Sequence, residues 1–175
     1  MGHIIGSGTT GWFIMVKGYS LTQIALHWVV GLLILFNLIF SDAMSALWDK
    51  VENGAVVPTT TFAWVHIIVG SSVLALVVWR LILRFTRGVP DAPAGEARLL
   101  TMAGHAGHYA LYALMIAMPL TGLLAWFGGI TDLAGLHSEV LKVLLWALIG
   151  VHVLAGLYHH FIRKDGLLNR MRKPL

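Results

Sequence analysis

Histidine is the residue type in this chain that fits its surroundings least well. The chain has nine histidines, and several fall in apolar stretches such as IGVHVLAGLYHHF at residues 149–161. A buried imidazole without a hydrogen-bond partner costs on the order of a few kcal/mol. Imidazole also binds metals and exchanges protons near neutral pH. These histidines are therefore candidates for metal, cofactor or proton chemistry, and the choice depends on the solvent around their helices.

The composition predicts an integral membrane protein. Of 175 residues, 58% are hydrophobic and 11% are charged, with a mean hydropathy of +0.80. Soluble domains carry about 25% charged residues, so this chain has too few to cover a surface that faces water. The absence of cysteine excludes disulfides, thiolate metal sites, iron–sulfur clusters and c-type haem attachment.

Four apolar segments have about the 20 residues that a membrane-spanning helix needs. They run approximately from 21 to 40, 62 to 83, 103 to 127 and 140 to 162. The sequence therefore predicts an all-α fold, an integral membrane four-helix bundle. Four buried helices of a soluble bundle are the alternative, which the lack of a wide polar face disfavours.

Helix-start signals agree with these segments. Ser20 and Gln23 have the spacing of a capping box before the first, threonines at 59–61 precede the second, and Thr101 precedes the third. Pro119 predicts a kink in the third segment.

The basic residues predict the orientation, because cytoplasmic loops are rich in Lys and Arg. Lys50 and Lys142 lie on one side, and the other ten of the twelve lie on the opposite side: Lys17, Arg80, Arg84, Arg87, Arg98, Arg163, Lys164, Arg170, Arg172 and Lys173. Both termini are thus predicted to be cytoplasmic. The basic excess reflects topology, and no nucleic-acid partner is expected.

The chain is predicted to divide into an N-terminal extension (1–19), a four-helix domain (20–165) and a basic cytoplasmic tail (166–175). Met15 is a candidate start, with residues 1–14 forming a loosely ordered extension.

Depth along the helices, at about 1.5 Å per residue, sorts four histidines into two levels. His66 and His137 lie near the outer side, and His27 and His152 lie nearer the cytoplasm. Two imidazoles that face each other across a bundle suit the two axial positions of a haem. This pattern predicts two stacked bis-histidine haems that transfer electrons.

Other interpretations remain open at this point. A single histidine on an apolar face is commonly a hydrogen-bonded core residue, and membrane histidines also serve proton relays. A metal site at His159, His160 and Asp165 is disfavoured, because adjacent helical residues point about 100° apart.

Four stretches carry a resemblance to a known family: YSLTQIALHW, WVHIIVG followed by WRLILRFTRGVP, MAGHAGHYALYALMIAMPLTGLL, and IGVHVLAGLYHHFIRKDGLLNRM. In this order they resemble the bacterial cytochrome b561 family, which is related to b-type subunits of nickel hydrogenases and formate dehydrogenases. The resemblance covers nearly everything from Met15 onward.

The resemblance implies a four-helix cytochrome of the bacterial inner membrane with two haem b groups, exchanging electrons with ubiquinone. It implies that His27 and His152 are the iron ligands of the cytoplasmic-side haem, and His66 and His137 those of the periplasmic-side haem. His137 and His152 are 15 residues apart, whereas 14 is usual in the family. A π-bulge, or a His137 just outside the regular helix, would absorb the extra residue.

Further site residues are expected at the cytoplasmic side. Arg80 and Arg84 are one turn apart and are candidates for pairing with haem propionates, the alternative being ordinary membrane anchoring. His108 and His159 fall at one level and are candidates for a quinone site.

The predicted function is electron transfer between a periplasmic donor and ubiquinone. Some family members act as superoxide oxidases, so superoxide is a candidate donor, although the outer segments carry five acids against Lys50 and Lys142. A membrane-anchor subunit of a larger dehydrogenase or hydrogenase is the alternative, and a haem-free structural membrane protein is a third.

Overall fold

The computed structural model describes residues 18–93 and 95–174. The extension predicted for residues 1–19, with its candidate start at Met15, lies outside the described residues except for Gly18 and Tyr19. The helices in chain order are α1 (Leu21–Ile39), α2 (Asp42–Glu52), α3 (Thr61–Arg87), α4 (Arg98–Gly128) and α5 (Asp132–Arg163), followed by a short 3-10 helix at Leu167–Met171.

Helices α1, α3, α4 and α5 are each long and apolar enough to cross a membrane. This result confirms the all-α four-helix membrane fold and its four segments. The sequence analysis missed α2, an amphipathic helix of 11 residues between the first two crossings.

Side-chain caps start two of the helices where the sequence predicts them. Ser20 Oγ accepts from the Gln23 amide, and the Gln23 side chain accepts from the Ser20 amide, which completes the capping box of α1. Thr60 Oγ1 caps α3 in the same way. The signal at Thr101 was wrong, since α4 already begins at Arg98 and the Thr101 hydroxyl donates instead to the Glu96 carboxylate.

Helix α5 is not uniformly α-helical. Its first α-helical turn (Asp132–Gly135) leads into a π-helical turn at Leu136–Leu141, and a second π-helical turn at His159–Arg163 ends the helix. The 17 residues between them, Lys142–Tyr158, are regular α-helix.

Neighbouring helices run antiparallel. The Gln23 side chain, at the start of α1, donates to the carbonyl of Gly88 just after α3, and Asn37, near the end of α1, donates to the carbonyl of His66 near the start of α3. The bundle thus has a "basic end", where α1 and α4 begin and α3 and α5 end, and an "α2 end", where α2 lies.

The bundle packs through a narrow apolar seam and exposes much apolar surface. Val30, Val73, Val77, Met115 and Leu145 form the centre of the core. Large apolar side chains such as Leu32, Phe62 and Ile162 are 64–69% exposed. This inverted pattern suits a protein whose outer surface faces lipid, where apolar side chains lose nothing by exposure.

The tail predicted for residues 166–175 folds back onto the basic end. The indole Nε1 of Trp28 donates to the carbonyl of Met171 at 2.8 Å, and the Arg170 guanidinium donates to the carbonyl of Asp91. These contacts hold the tail against α1 and against the loop between α3 and α4.

Candidate functional site

The α2 end contains the first of two histidine pairs. His66, on α3, and His137, on α5, face each other with ring centroids 6.1 Å apart and planes inclined by 72°. Both line a cavity of about 180 Å³ that is bordered by all five helices and is lined mainly by apolar side chains.

The ring of His137 is held by α4. Its Nδ1 lies 2.8 Å from the Met118 carbonyl oxygen and 3.3 Å from Thr121 Oγ1. When Nδ1–H donates to that carbonyl, the lone pair of Nε2 becomes available for a metal. This is the arrangement that usually orients a metal-ligating histidine.

The π-helical turn accounts for the unusual spacing of His137. A π-helical turn takes about one residue more than an α-helical turn, so the 15 residues from His137 to His152 complete about the rotation of 14 in a regular α-helix. His137 lies inside the turn at Leu136–Leu141. The predicted π-bulge is therefore confirmed.

Gly122 provides the space that the His137 ring occupies. A Cβ at residue 122 would lie 3.0 Å from His137 Cε1 and 3.2 Å from Nδ1. Contacts this short would force the ring to move.

The second pair lies toward the basic end. His27, on α1, and His152, on α5, have ring centroids 6.0 Å apart and planes inclined by 60°. His108, on α4, also contacts this pair, and its ring centroid lies 5.3 Å from that of His152. The structure therefore brings together both histidine pairs expected from helix depth, and it adds His108 to the basic-end pair.

The residues of both pairs fit haem on three observations. The buried Nδ1 atoms of His27 and His66 have no hydrogen-bond partner among the described residues. Histidines of a protein core usually do have such a partner. A metal bonded at about 2 Å to two imidazoles on opposite sides would separate the ring centres by about 6 Å. When Nδ1–H of His137 donates to the Met118 carbonyl oxygen, 2.8 Å away, Nε2 of the same ring is available to a metal.

The arginines of α3 face tyrosines of α4. The Arg80 guanidinium lies 5.8 Å from the centroid of Tyr112, and that of Arg84 lies 5.6 Å from Tyr109. Within residues 18–93 and 95–174, neither arginine forms an ion pair with a carboxylate. Burial raises the pKa of Tyr19, outside the helices, and the charges of Arg84 and Arg80 partly oppose the shift. Both cations are thus free to attract an anionic group.

His159 is placed differently from the other histidines. Its Nδ1 lies 2.6 Å from Asp165 Oδ2, and its Nε2 lies 3.4 Å from Glu96 Oε1. Burial raises the pKa of the Asp165 carboxyl, but hydrogen bonds from His159 and the Leu167 amide, with the charges of His159 and Arg163, outweigh it and lower the pKa below 3.8. His108 and His159, which helix depth places together, therefore have different immediate partners.

The sequence profile described as prokaryotic cytochrome b561 matches residues 18–174. The chain belongs to this family. A cytochrome b562 of Cereibacter sphaeroides is 36% identical over 157 residues, which cover 90% of this chain and 96% of that protein. A probable superoxide oxidase, CybB, of Yersinia pestis is 27% identical, covering 90% and 97% of the two chains. Cytochrome b561 homolog 1 of Escherichia coli is 30% identical, covering 87% and 96%.

Membership in the cytochrome b561 family establishes the coarse identity of the chain. It is a b-type cytochrome of electron transfer, with haem b as its cofactor, and a multi-pass protein of the bacterial inner membrane.

Sequence reasoning missed several residues that shape these sites. Asn37 donates to the His66 carbonyl and leaves a buried Oδ1 without a partner among the described residues. An amide within the apolar run ILFNLIF is the signal that could have found it. Gly122 and Thr121 carry no comparable signal, since their role depends on where the π-helical turn places His137. Glu96 lies in a loop, so helix depth could not pair it with His159.

Proposed function

We propose that this cytochrome b561 family member binds two haem b groups and transfers electrons across the inner membrane between a periplasmic donor and ubiquinone. His27 and His152 hold one haem, and His66 and His137 hold the other. The observation that carries the proposal is the presence of two histidine pairs, 6.0 and 6.1 Å between centroids, at two levels of one bundle. A haem bound between two imidazoles supplies a one-electron carrier with both axial positions filled.

The basic end is proposed to face the cytoplasm. Its loops and tail carry most of the lysines and arginines, which favours this side by the positive-inside rule. The pair His66 and His137 then lies toward the periplasm, and His27 and His152 lie toward the cytoplasm. Arg80 and Arg84, without carboxylate partners within the described ranges, are proposed to bind the propionates of the cytoplasmic-side haem.

Superoxide is the proposed periplasmic donor. The support is the similarity to the relative named as a probable superoxide oxidase, at 27% identity. Lys142 lines the cavity of the α2 end and provides a cation there, although Asp49 lines it too. When the oxidised protein is mixed with superoxide under anaerobic conditions, the visible spectrum should show that the haems become reduced. Unchanged visible spectra would reject superoxide as the donor.

Ubiquinone is proposed to bind at the basic end, near His159 and His108. An imidazole can donate a hydrogen bond and exchange a proton, which suits a carrier that takes up electrons with protons. The arginines and tyrosines of α3 and α4 lie at the same end of the bundle.

Haem content and quinone kinetics test the proposal together. A pyridine haemochrome assay should give about two haems per chain, as two bis-histidine sites require. His159→Ala should keep both haems but slow haem reoxidation by a soluble quinone at least tenfold, equivalent to about 1.4 kcal/mol of barrier. His160→Ala is the matched control, because His160 lies against Phe161. One haem per chain, or a parent rate in His159→Ala, would contradict the corresponding part.

A further inference from the structure

Three titratable side chains at the basic end are held in one line. His159, at the end of α5, contacts Asp165 in the following loop and Glu96 in the loop before α4. All three side chains are largely buried, with exposed fractions of 12%, 12% and 7%. One imidazole thus contacts two carboxylates that are largely shielded from water. These contacts limit the number of protons that the three side chains can hold.

One proton among these three side chains can lie on either of two groups. A neutral imidazole has one N–H, so it can donate to only one of the two carboxylates, and the second contact would set a lone pair against an anion. The geometry therefore favours one additional proton among these three side chains. That proton is on His159, as imidazolium, or on Glu96, as a carboxylic acid.

The two contacts differ in strength, which decides where the shared proton moves. The 2.6 Å contact to Asp165 is short for an N–H···O bond, whereas the 3.4 Å contact to Glu96 is longer than most. Asp165 also accepts from the Leu167 amide at 3.1 Å and lies 4.0 Å from Arg163 Nε. Asp165 thus stays ionised and fixes Nδ1–H, while Nε2 is the nitrogen that can exchange its proton.

The surroundings of these three side chains make Glu96 the carboxylate that can exchange a proton with His159. Glu96 accepts from Thr101 through Oε2, which leaves Oε1 to face His159. Tyr158 packs edge-on against the His159 ring from α5. Among the described residues, the cation that contacts this cluster is Arg163, whose Nε lies 4.0 Å from Asp165 Oδ2.

We propose that Glu96, His159 and Asp165 form a proton-holding site that supplies protons to a quinone at the basic end. This inference rests on the quinone site proposed above. In the step, the Nε2–H bond of the His159 imidazolium breaks, and a new O–H bond forms on the reduced quinone oxygen. His159 becomes neutral and keeps its Nδ1–H bond to Asp165. Water at the end of the bundle then returns a proton through Glu96.

The pH dependence of quinone reduction tests this role. Glu96→Gln and Asp165→Asn keep the shape of each side chain but remove its proton exchange or its charge. We expect both variants to reoxidise with a soluble quinone at the parent rate in acid, where protons are abundant, and at least tenfold more slowly at alkaline pH. Asp91→Asn is the matched control, because among the described residues Asp91 is bonded through its backbone carbonyl, by Arg170, and not through its carboxylate. Parent-like rates of both variants at every pH would overturn the proposal.

A second measurement separates this site from the quinone proposal. In ¹⁵N-histidine-labelled reduced holoprotein, the parent and Asp91→Asn should show a downfield, slowly exchanging ring N–H that Asp165→Asn lacks. The same signal in Asp165→Asn would overturn the site. A parent protein that never reacts with quinone would refute the proposed function and this role together, while the ring signal would still decide whether His159 holds the bonded proton.

Discussion

The carbonyl oxygen of Met118 lies 2.8 Å from Nδ1 of His137, so a backbone group of α4 holds an imidazole of α5. The contact fixes which nitrogen of His137 faces the cavity. His137 is therefore pre-oriented by its surroundings.

Removing one ligand should empty one site and spare the other. His27→Ala or His152→Ala takes away one of two axial bonds of the basic-end haem, so that haem should be lost while the other remains. His66→Ala should have the reverse effect. Pyridine haemochrome assays and redox titrations would show a single haem and a single step in each variant. A two-step titration in His152→Ala would disprove the pairing.

Gly122→Ala should selectively weaken the haem site of the α2 end. The new Cβ would lie 3.0 Å from His137 Cε1, and overpacking of this kind costs about 1–3 kcal/mol. Gly150→Ala is the control on α5, because a Cβ there meets none of the described atoms within 4 Å. Haem content after purification in mild detergent measures the effect. Full occupancy of both sites in Gly122→Ala would show that the ring can shift without loss.

Asp165→Asn should remove a pH-dependent part of the stability. The pKa of Asp165 is lower in the folded chain than its ordinary value of 3.8. Its contribution is therefore complete above about pH 5 and is lost as the pH falls through the folded pKa. Near pH 7, we expect the free energy of unfolding of the parent to exceed that of the variant by on the order of 2 kcal/mol. This is the typical contribution of a hydrogen bond to a charged group. Thermal unfolding of the detergent-solubilised holoproteins from pH 7 downward should show the gap closing only in acid, and a gap that widens in acid would contradict this.

Trp28→Phe should loosen the C-terminal tail. The variant loses the 2.8 Å bond from the indole to the Met171 carbonyl, which contributes about 0.5–1.5 kcal/mol. Trypsin should then cut more rapidly among the basic residues after Gly166. Trp79→Phe serves as the control, since Trp79 is 48% exposed on the outer surface of α3. Equal cleavage of parent and Trp28→Phe would assign the docking of the tail to other contacts.

Helix positions were predictable because they depend on local features. Apolar length located all four crossings, and the Ser20 capping box was read correctly from two residues three apart. Thr101 failed because a cap also depends on how the preceding loop is placed, and Glu96 uses its hydroxyl. Helix α2 was missed because an 11-residue amphipathic helix has no length signal for the membrane.

The histidine pairs were predictable because depth in a bundle follows residue count. Counting along helices located His27 with His152 and His66 with His137 at common levels, and the ring centroids of these pairs lie 6.0 and 6.1 Å apart. Counting could not find the partners of His159, because Glu96 and Asp165 lie in loops whose path does not follow a helical period. It also missed the contact of His108 with His152, since depth alone does not give the direction of a side chain.

The π-helical turn at Leu136–Leu141 gives this chain a place to change length. Elsewhere in a crossing, inserting or deleting one residue turns every later side chain by about 100° and would separate the paired histidines. Within this turn, loss of one residue after His137 can be absorbed by conversion to ordinary α-helix, with both histidines still facing inward. Homologous chains can thus differ here by one residue and keep the same cofactor arrangement, so an alignment gap at this point signals a change of helical winding rather than a lost ligand.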